Sequence, residues 1–140
     1  MTVPKSHPRY ISLKAREKIV DGVKKGITSV DGLAAHGRGE AFDYWIGEKT
    51  TKVAKKSIQS AAALLLSAKN PVISVNGNAA ALVPKELVQL SKTIPAKLEV
   101  NIFHKSKARE LKIKSHLIKN GAKEVLLPQK NYKIEYLGSN

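Results

Sequence analysis

A glycine-flanked arginine is the first group in this sequence that suggests chemistry. It lies in the string HGRGE at residues 36–40. Glycine lacks a Cβ, so a ligand can approach the backbone closely beside Arg38, whose guanidinium binds oxyanions through two N–H groups. Glu40, Asp43 and Tyr44 follow at helical spacing. We therefore predict a bent turn that presents Arg38 to a phosphate beside the start of a helix. The alternative is a helix–helix turn with a solvated arginine.

A second candidate follows a short β-branched run. Residues 71–75 (PVISV) have the composition of a buried strand, and Asn76, Gly77 and Asn78 come directly after it. Ligands of open α/β sheets bind beyond the carboxyl ends of the strands, and Gly77 would let backbone amides receive an anion. The same three residues are also common turn formers, so a tight turn without a ligand is the alternative.

Isolated residues elsewhere could also contact a ligand, and each has a plainer explanation. Arg16 lies at the edge of an apolar helical stripe, where it either grips a ligand or extends to solvent. His7 could contact a phosphate, or it caps a helix or is solvated. His36 and Glu40 lie four residues apart, a spacing that can share a metal, but two ligands are too few for a site. The sequence therefore predicts no metal centre.

The net charge is the strongest feature of the composition. The 140 residues include 25 Lys and Arg against 11 Asp and Glu, a net charge of +14, so polyanions such as nucleotides, nucleic acids or phosphorylated metabolites are the expected partners. Aromatic residues are only 5%, too few for the basic, aromatic-lined groove of a single-strand binder. Cysteine is absent, which fits a reducing cytoplasm, and we expect neither a leader peptide nor a membrane span.

The elements that must position these residues form two segments of one α/β domain. Apolar periodicity and capping residues predict an N-terminal helical segment, residues 1–70, that packs on a sheet. Residues 71–140 alternate as β–α–β–α–β, with strands near 71–75, 97–103 and 124–127 and helices between them. This alternation predicts a parallel sheet with right-handed crossovers.

Two apolar clusters in the helical segment are expected to be buried. The bulky residues at 42–46 predict packing on the core, and the almost wholly apolar stretch at 61–66 predicts contacts on several helix faces. A parallel sheet of only three strands would keep an open edge. We therefore also expect the chain to be a C-terminally truncated part of a longer domain.

Three groups of motifs, taken together, resemble one known family. They are PKSHPRY at 4–10 with REK at 16–18, AHGRGEAFDY at 35–44 with IGE at 46–48, and NPV at 70–72 with SVNGN at 74–78 and AALVP at 80–84. In order and over residues 3–127, they resemble the archaeal phosphopantothenate synthetases, the 4-phosphopantoate–β-alanine ligases of coenzyme A synthesis. The resemblance implies a Rossmann-like fold and a homodimer.

The resemblance also implies a reaction. ATP, accompanied by Mg²⁺, activates the carboxylate of 4-phosphopantoate as an acyl-adenylate, and the amine of β-alanine then displaces AMP to give 4′-phosphopantothenate. ATP-binding arginines of the family occupy the positions that are Arg16 and Arg38 here. Family members continue with further ATP-binding loops that have no counterpart after Leu137, so the resemblance implies the N-terminal part of such an enzyme.

Two other functions stay open beside the ligase. A basic nucleic-acid-binding module would bind its partner with a steep salt dependence. An inactive dimerisation fragment would self-associate without binding ATP. If the ligase interpretation holds, we expect His7, Asn76, Gly77 and Asn78 to contact the substrates or their phosphates.

Overall fold

The structure is a computed structural model that describes residues 3–128. Over this range the elements are α1 (Tyr10–Lys24), α2 (Val30–Ile46), α3 (Lys52–Ser67), β1 (Val72–Val75), α4 (Gly77–Leu82), α5 (Pro84–Thr93), β2 (Lys97–Val100) and α6 (Lys107–Lys119). The predicted α/β class, with an N-terminal helical segment before a parallel sheet, is confirmed. The end of the predicted 71–140 segment lies outside the described residues.

Local capping signals set most of the helix bounds. Ser29 and Thr51 each accept a hydrogen bond from the backbone N–H three residues later, at the starts of α2 and α3. Gly26 and Gly47 follow the ends of α1 and α2 with φ angles of 66° and 78°, which favour glycine. These bounds were predictable because each depends on a few neighbouring residues.

The glycines beside Arg38 do not form the predicted turn. Gly37 and Gly39 lie within α2, which runs unbroken from Val30 to Ile46. A glycine inside a helix costs about 1 kcal/mol relative to alanine. That cost is tolerated here because α2 starts from a side-chain cap at Ser29 and runs on without a proline. The turn prediction is therefore wrong, and Arg38 extends from the middle of a helix.

The sheet has two parallel strands, with Val72 opposite Lys97 and Val75 opposite Val100. Helices α4 and α5 connect them. The predicted third strand at 124–127 is reduced to a single parallel bridge between Leu126 and Glu99, on the edge of β2 away from β1. Pro128, two residues later, has no N–H with which to extend that ladder.

The core lies between the sheet and the helices that follow each strand. Its buried side chains come from both strands, from α4, α5 and α6 and from the adjoining loops: Ile27, Val75, Ala80, Val88, Leu98, Val100, Ile102, Ile113, Leu117, Ala122 and Val125. The helical segment joins this core through α1, which packs against α2 and α4. The position of α4, directly after β1, therefore fixes where α1 and α2 lie relative to the sheet.

The C-terminal end of α2 and the whole of α3 expose large apolar side chains. We call these residues the α2–α3 apolar surface: Phe42, Trp45, Ile46, Val53, Ile58, Leu64 and Leu66, which are 60–90% exposed. No residue of α3 is buried. Both burial predictions for this region are wrong, because no element within residues 3–128 packs over it. Even so, no helix in that range is long and apolar enough to cross a membrane.

Candidate functional site

A cavity of about 300 Å³, with polar side chains in a largely apolar lining, opens at the carboxyl ends of β1 and β2. The loop before α2 and the first turns of α2 form one wall, the start of α4 the floor, and the loop after β2 with α6 the other wall. Its lining residues include Thr28, Ser29, Asp31, Gly32, Asn76, Gly77, Asn78, Phe103, His104 and Arg109. A larger cavity of about 510 Å³ lies near the other end of β2. We assign the candidate site to the first because ligands of open α/β sheets bind at the carboxyl ends.

A hydrogen-bonded joint holds the wall of this cavity in place. The Thr28 hydroxyl donates to the Asn78 side-chain oxygen, and the Asn78 amide donates to the Gly32 carbonyl over 2.8 Å. Asn78 therefore links the start of α4 to the first turn of α2. Two of its polar atoms are already engaged within the chain, so much of its role is to position the cavity wall.

Two glycines let the elements of this joint approach closely. A Cβ on Gly77 would lie 2.5 Å from the Ile27 carbonyl oxygen, and one on Gly32 would lie 2.6 Å from the Asn78 side-chain oxygen. The N–H of Ala79 donates to the Asn76 side-chain oxygen, which caps α4. That residues 76–78 contact substrate stays a prediction. The structure shows that the side chains of Asn76 and Asn78 also make hydrogen bonds within the chain.

A buried carboxylate organises the predicted ATP-binding region. Glu40, whose side chain is only 10% exposed, lies 3.2 Å from Arg9 Nη2 and 3.6 Å from Arg16 Nη1. Its Oε2 is 3.9 Å from His36 Nδ1, too far for a hydrogen bond. The Arg16 side chain is 54% exposed, so the ion pair orients its guanidinium while leaving N–H groups open to solvent.

Arg38 lies on another side of α2 from this cluster. It is exposed, and because it precedes Glu40 by two positions, it is rotated about 200° around the helix from it. Neither Arg16 nor Arg38 lines the cavity at the strand ends. A second cavity, of about 430 Å³ between α1 and α2, is lined by carboxylates that include Glu40 and Asp43. The ATP-binding role of both arginines stays a prediction, and the described residues do not bring the two together.

The remaining candidates lie away from the cavity. His7 is exposed, and its Nδ1 accepts a hydrogen bond from the Arg9 backbone N–H just before α1, so its Nε2 is left facing outward. Across residues 3–128, His36 and Glu40 gain no third His, Asp or Glu with which to hold a metal ion. His7 as a substrate contact stays a prediction.

Comparison with known proteins identifies the family. The phosphopantothenate/pantothenate synthetase family matches residues 53–140. The chain belongs to this family. Synthetase-family relatives named 4-phosphopantoate–β-alanine ligase come from Thermococcus onnurineus (56% identity over 117 residues, 84% of this chain and 45% of the relative), Thermococcus kodakarensis (55%, 85% and 46%) and Methanosarcina mazei (54%, 89% and 49%). The chain thus spans about half the length of these relatives.

Sequence reasoning missed the placement of two charged residues, one at the cavity and one in the ion pairs between α1 and α2. Arg109 lines the cavity although no motif marks it, and Glu40 was considered only as a metal ligand. Arg109 could have been found from topology, since it lies in the first turn of the helix that follows the second strand. Glu40 could not, because its partner Arg9 lies 31 residues away in sequence.

Proposed function

We propose that the protein containing this chain is an ATP-dependent ligase that joins 4-phosphopantoate to β-alanine in the cytoplasm. Family membership, with relatives of that name at 54–56% identity, carries the proposal. A carboxylate oxygen of 4-phosphopantoate attacks the α-phosphorus of ATP, forming an acyl-adenylate and releasing pyrophosphate. The β-alanine amine attacks the acyl carbon and loses a proton, AMP leaves, and 4′-phosphopantothenate is formed.

In this proposal the cavity at the strand ends receives the phosphorylated acid. The few polar side chains in its largely apolar lining and its location at the carboxyl ends of both strands support this assignment. Within residues 3–128 the side-chain NH₂ of Asn76, at the floor, has no hydrogen-bond partner, while Gly77 keeps the backbone close to the loop before α2. Holding the carboxylate in a fixed position would supply the proximity that adenylate formation requires.

ATP, with Mg²⁺ bound chiefly through its phosphates and water, would meet the arginines of α1 and α2. Arg16 is oriented by Glu40 and keeps an exposed edge. Beside Arg38, a Cβ added to either Gly37 or Gly39 would meet no atom within 4 Å, so a nucleotide can lie against the helix there. Because the two arginines lie on different sides of α2, we expect each to contribute separately to ATP binding.

Kinetics of an arginine variant would test this proposal. In the full-length protein, Arg38→Ala should lower ATP-dependent turnover by roughly ten- to a thousandfold, because a group that stabilises phosphate charge is removed. Formation of 4′-phosphopantothenate at saturating and limiting ATP measures this effect. The control is Lys69→Ala, which removes a positive charge from the exposed loop after α3.

Two results would contradict parts of this proposal, one the role of Arg38 and the other the ligase activity itself. Unchanged kinetics of Arg38→Ala would remove the proposed role of that residue. A wild-type protein that forms no 4′-phosphopantothenate, and instead binds nucleic acid with a steep salt dependence, would support the nucleic-acid-binding alternative.

We also propose that two copies of the chain associate through antiparallel packing of α3. Ala54 and Ala61 lie seven residues apart on α3, as do Ile58 and Leu65, a spacing that suits close helix pairing. The first turn of α3 carries lysine and no acid, opposite to what its own dipole favours. Antiparallel pairing would place these lysines beside the negative end of the partner helix.

Sedimentation of two variants would test the dimer. Ile58→Glu puts a charge on the apolar face and should make the protein monomeric. Ser60→Glu puts the same charge on the opposite side of α3, about 160° away by helix geometry, and should leave the dimer intact. A wild-type protein that is monomeric at all concentrations would contradict the pairing.

A further inference from the structure

Arg109 is placed where a ligand of the cavity at the strand ends would meet it. It lies in the first turn of α6, directly after the loop that follows β2, and it lines the cavity together with Asn76 and His104. Its side chain is half-buried. The fold therefore places one permanent positive charge in the lining of a largely apolar cavity.

The surroundings of this guanidinium differ from those of other arginines in the chain. Arg9 and Arg16 each have a Glu40 carboxylate oxygen within 4.0 Å. For Arg109 the structure gives, within residues 3–128, only a weak contact of 3.5 Å from Nη2 to the His104 carbonyl oxygen and no ion pair. Partial burial of a charge is unfavourable unless an anion compensates it. A ligand anion would supply that compensation.

We propose that Arg109 binds the phosphate group of the phosphorylated acid in this cavity. This rests on the proposed function for the choice of ligand, and on geometry for the choice of residue. A guanidinium can donate two parallel hydrogen bonds to a phosphate, and a cavity of about 300 Å³ has room for a small phosphorylated acid. Thr28 and Asn76 line the same cavity.

Asp31 allows a second test, because its replacement should change ligand binding in the opposite direction to the loss of Arg109. This carboxylate lines the cavity from the first turn of α2, where it would repel a phosphate. Neutralising it should therefore strengthen binding of a phosphorylated ligand, whereas removing Arg109 should weaken it. A cavity that takes a neutral or cationic ligand would not show this pair of opposite effects.

Calorimetric titration of the full-length protein with 4-phosphopantoate and with unphosphorylated pantoate tests the proposal. Arg109→Ala should weaken 4-phosphopantoate binding by about 10- to 100-fold, the range for losing hydrogen bonds to a charged group. Arg109→Lys should lose less, and Asp31→Asn should bind somewhat more tightly than wild type. Lys107→Ala is the matched control, since Lys107 is a cation of the same helical turn that does not line the cavity.

Several results would overturn the assignment. They are wild-type affinity in both Arg109 variants, equal losses in Arg109→Ala and Lys107→Ala, an equal loss for unphosphorylated pantoate, or no saturable binding of 4-phosphopantoate by the wild type. If Arg109→Ala fails to fold, Arg109→Lys decides. A protein that makes 4′-phosphopantothenate with unchanged substrate affinity in both variants would refute the role of Arg109 and leave the ligase standing. Phosphate-dependent binding that needs Arg109, in a protein without ligase activity, would support the role of Arg109 and refute the ligase.

Discussion

The α6–sheet core and the α2–α3 apolar surface contain similar apolar side chains in opposite surroundings. Ile113 and Leu117 of α6 are fully buried, whereas Leu64 and Leu66 of α3 are each 71% exposed. Both helices are amphipathic by sequence. What separates them is the strand beside α6, because burial needs a second element to pack against and α3 has none within residues 3–128. Apolar periodicity therefore predicts that a helix has an apolar face. Whether that face is buried depends on which elements the topology places beside it.

The largest expected effect comes from truncating one leucine in each region. Leu117→Ala should lower the free energy of unfolding by about 2–5 kcal/mol, because it leaves a cavity in the core. Leu66→Ala should change it by no more than about 0.5 kcal/mol, since the side chain is mostly exposed. Urea unfolding at low protein concentration measures both. Similar losses in the two variants would break the comparison, because they would show that α3 is packed.

Glycine substitutions should change stability in opposite directions in the two regions. Gly77→Ala is expected to cost about 1–3 kcal/mol, because its Cβ would lie 2.5 Å from the Ile27 carbonyl oxygen. Gly39→Ala should instead stabilise the protein by about 0.5–1 kcal/mol, because its Cβ meets no atom within 4 Å and alanine favours the helix. Thermal unfolding of the two variants compares them directly. A destabilised Gly39→Ala would show that α2 bends at this glycine in solution.

The smallest effect concerns the pH dependence of the packed region. Partial burial, followed by the nearby charge of Lys25, lowers the pKa of His116 below 6.5. Because the unfolded chain binds the proton more readily, this residue destabilises the fold as pH falls below 6.5 and has no effect well above it. Replacing it by asparagine should flatten the fall in the urea midpoint between neutral and mildly acidic pH. Lys25→Gln should flatten it less, since it removes only the second cause. An unchanged slope in both variants would contradict this account.

The sequence predicted those features that depend on neighbouring residues. Ser29 and Thr51 cap helices, Gly26 and Gly47 follow helix ends, and Pro84 starts α5, and each of these positions follows from local chemistry. Parallel pairing of β1 with β2 followed from the alternation of strands and helices.

Features that depend on distant residues could not be predicted in this way. The exposure of Trp45, the ion pair between Arg16 and Glu40 and the position of Arg109 in the cavity each depend on how elements pack. Gly37 and Gly39 misled for a different reason. Glycine allows a turn but does not require one, and α2 stays an unbroken helix despite the modest cost of its two glycines beside Arg38.

Helix α2 runs from the wall of the cavity to the α2–α3 apolar surface. Its 17 residues span about 25 Å, with Ser29 and Gly32 at the cavity wall and Trp45 on the exposed apolar surface. Near the cavity, the Asn78 side-chain amide donates to the Gly32 carbonyl oxygen and so ties α2 to the start of α4. A neighbour bound on the exposed apolar surface would therefore contact the same helix that forms one wall of the cavity.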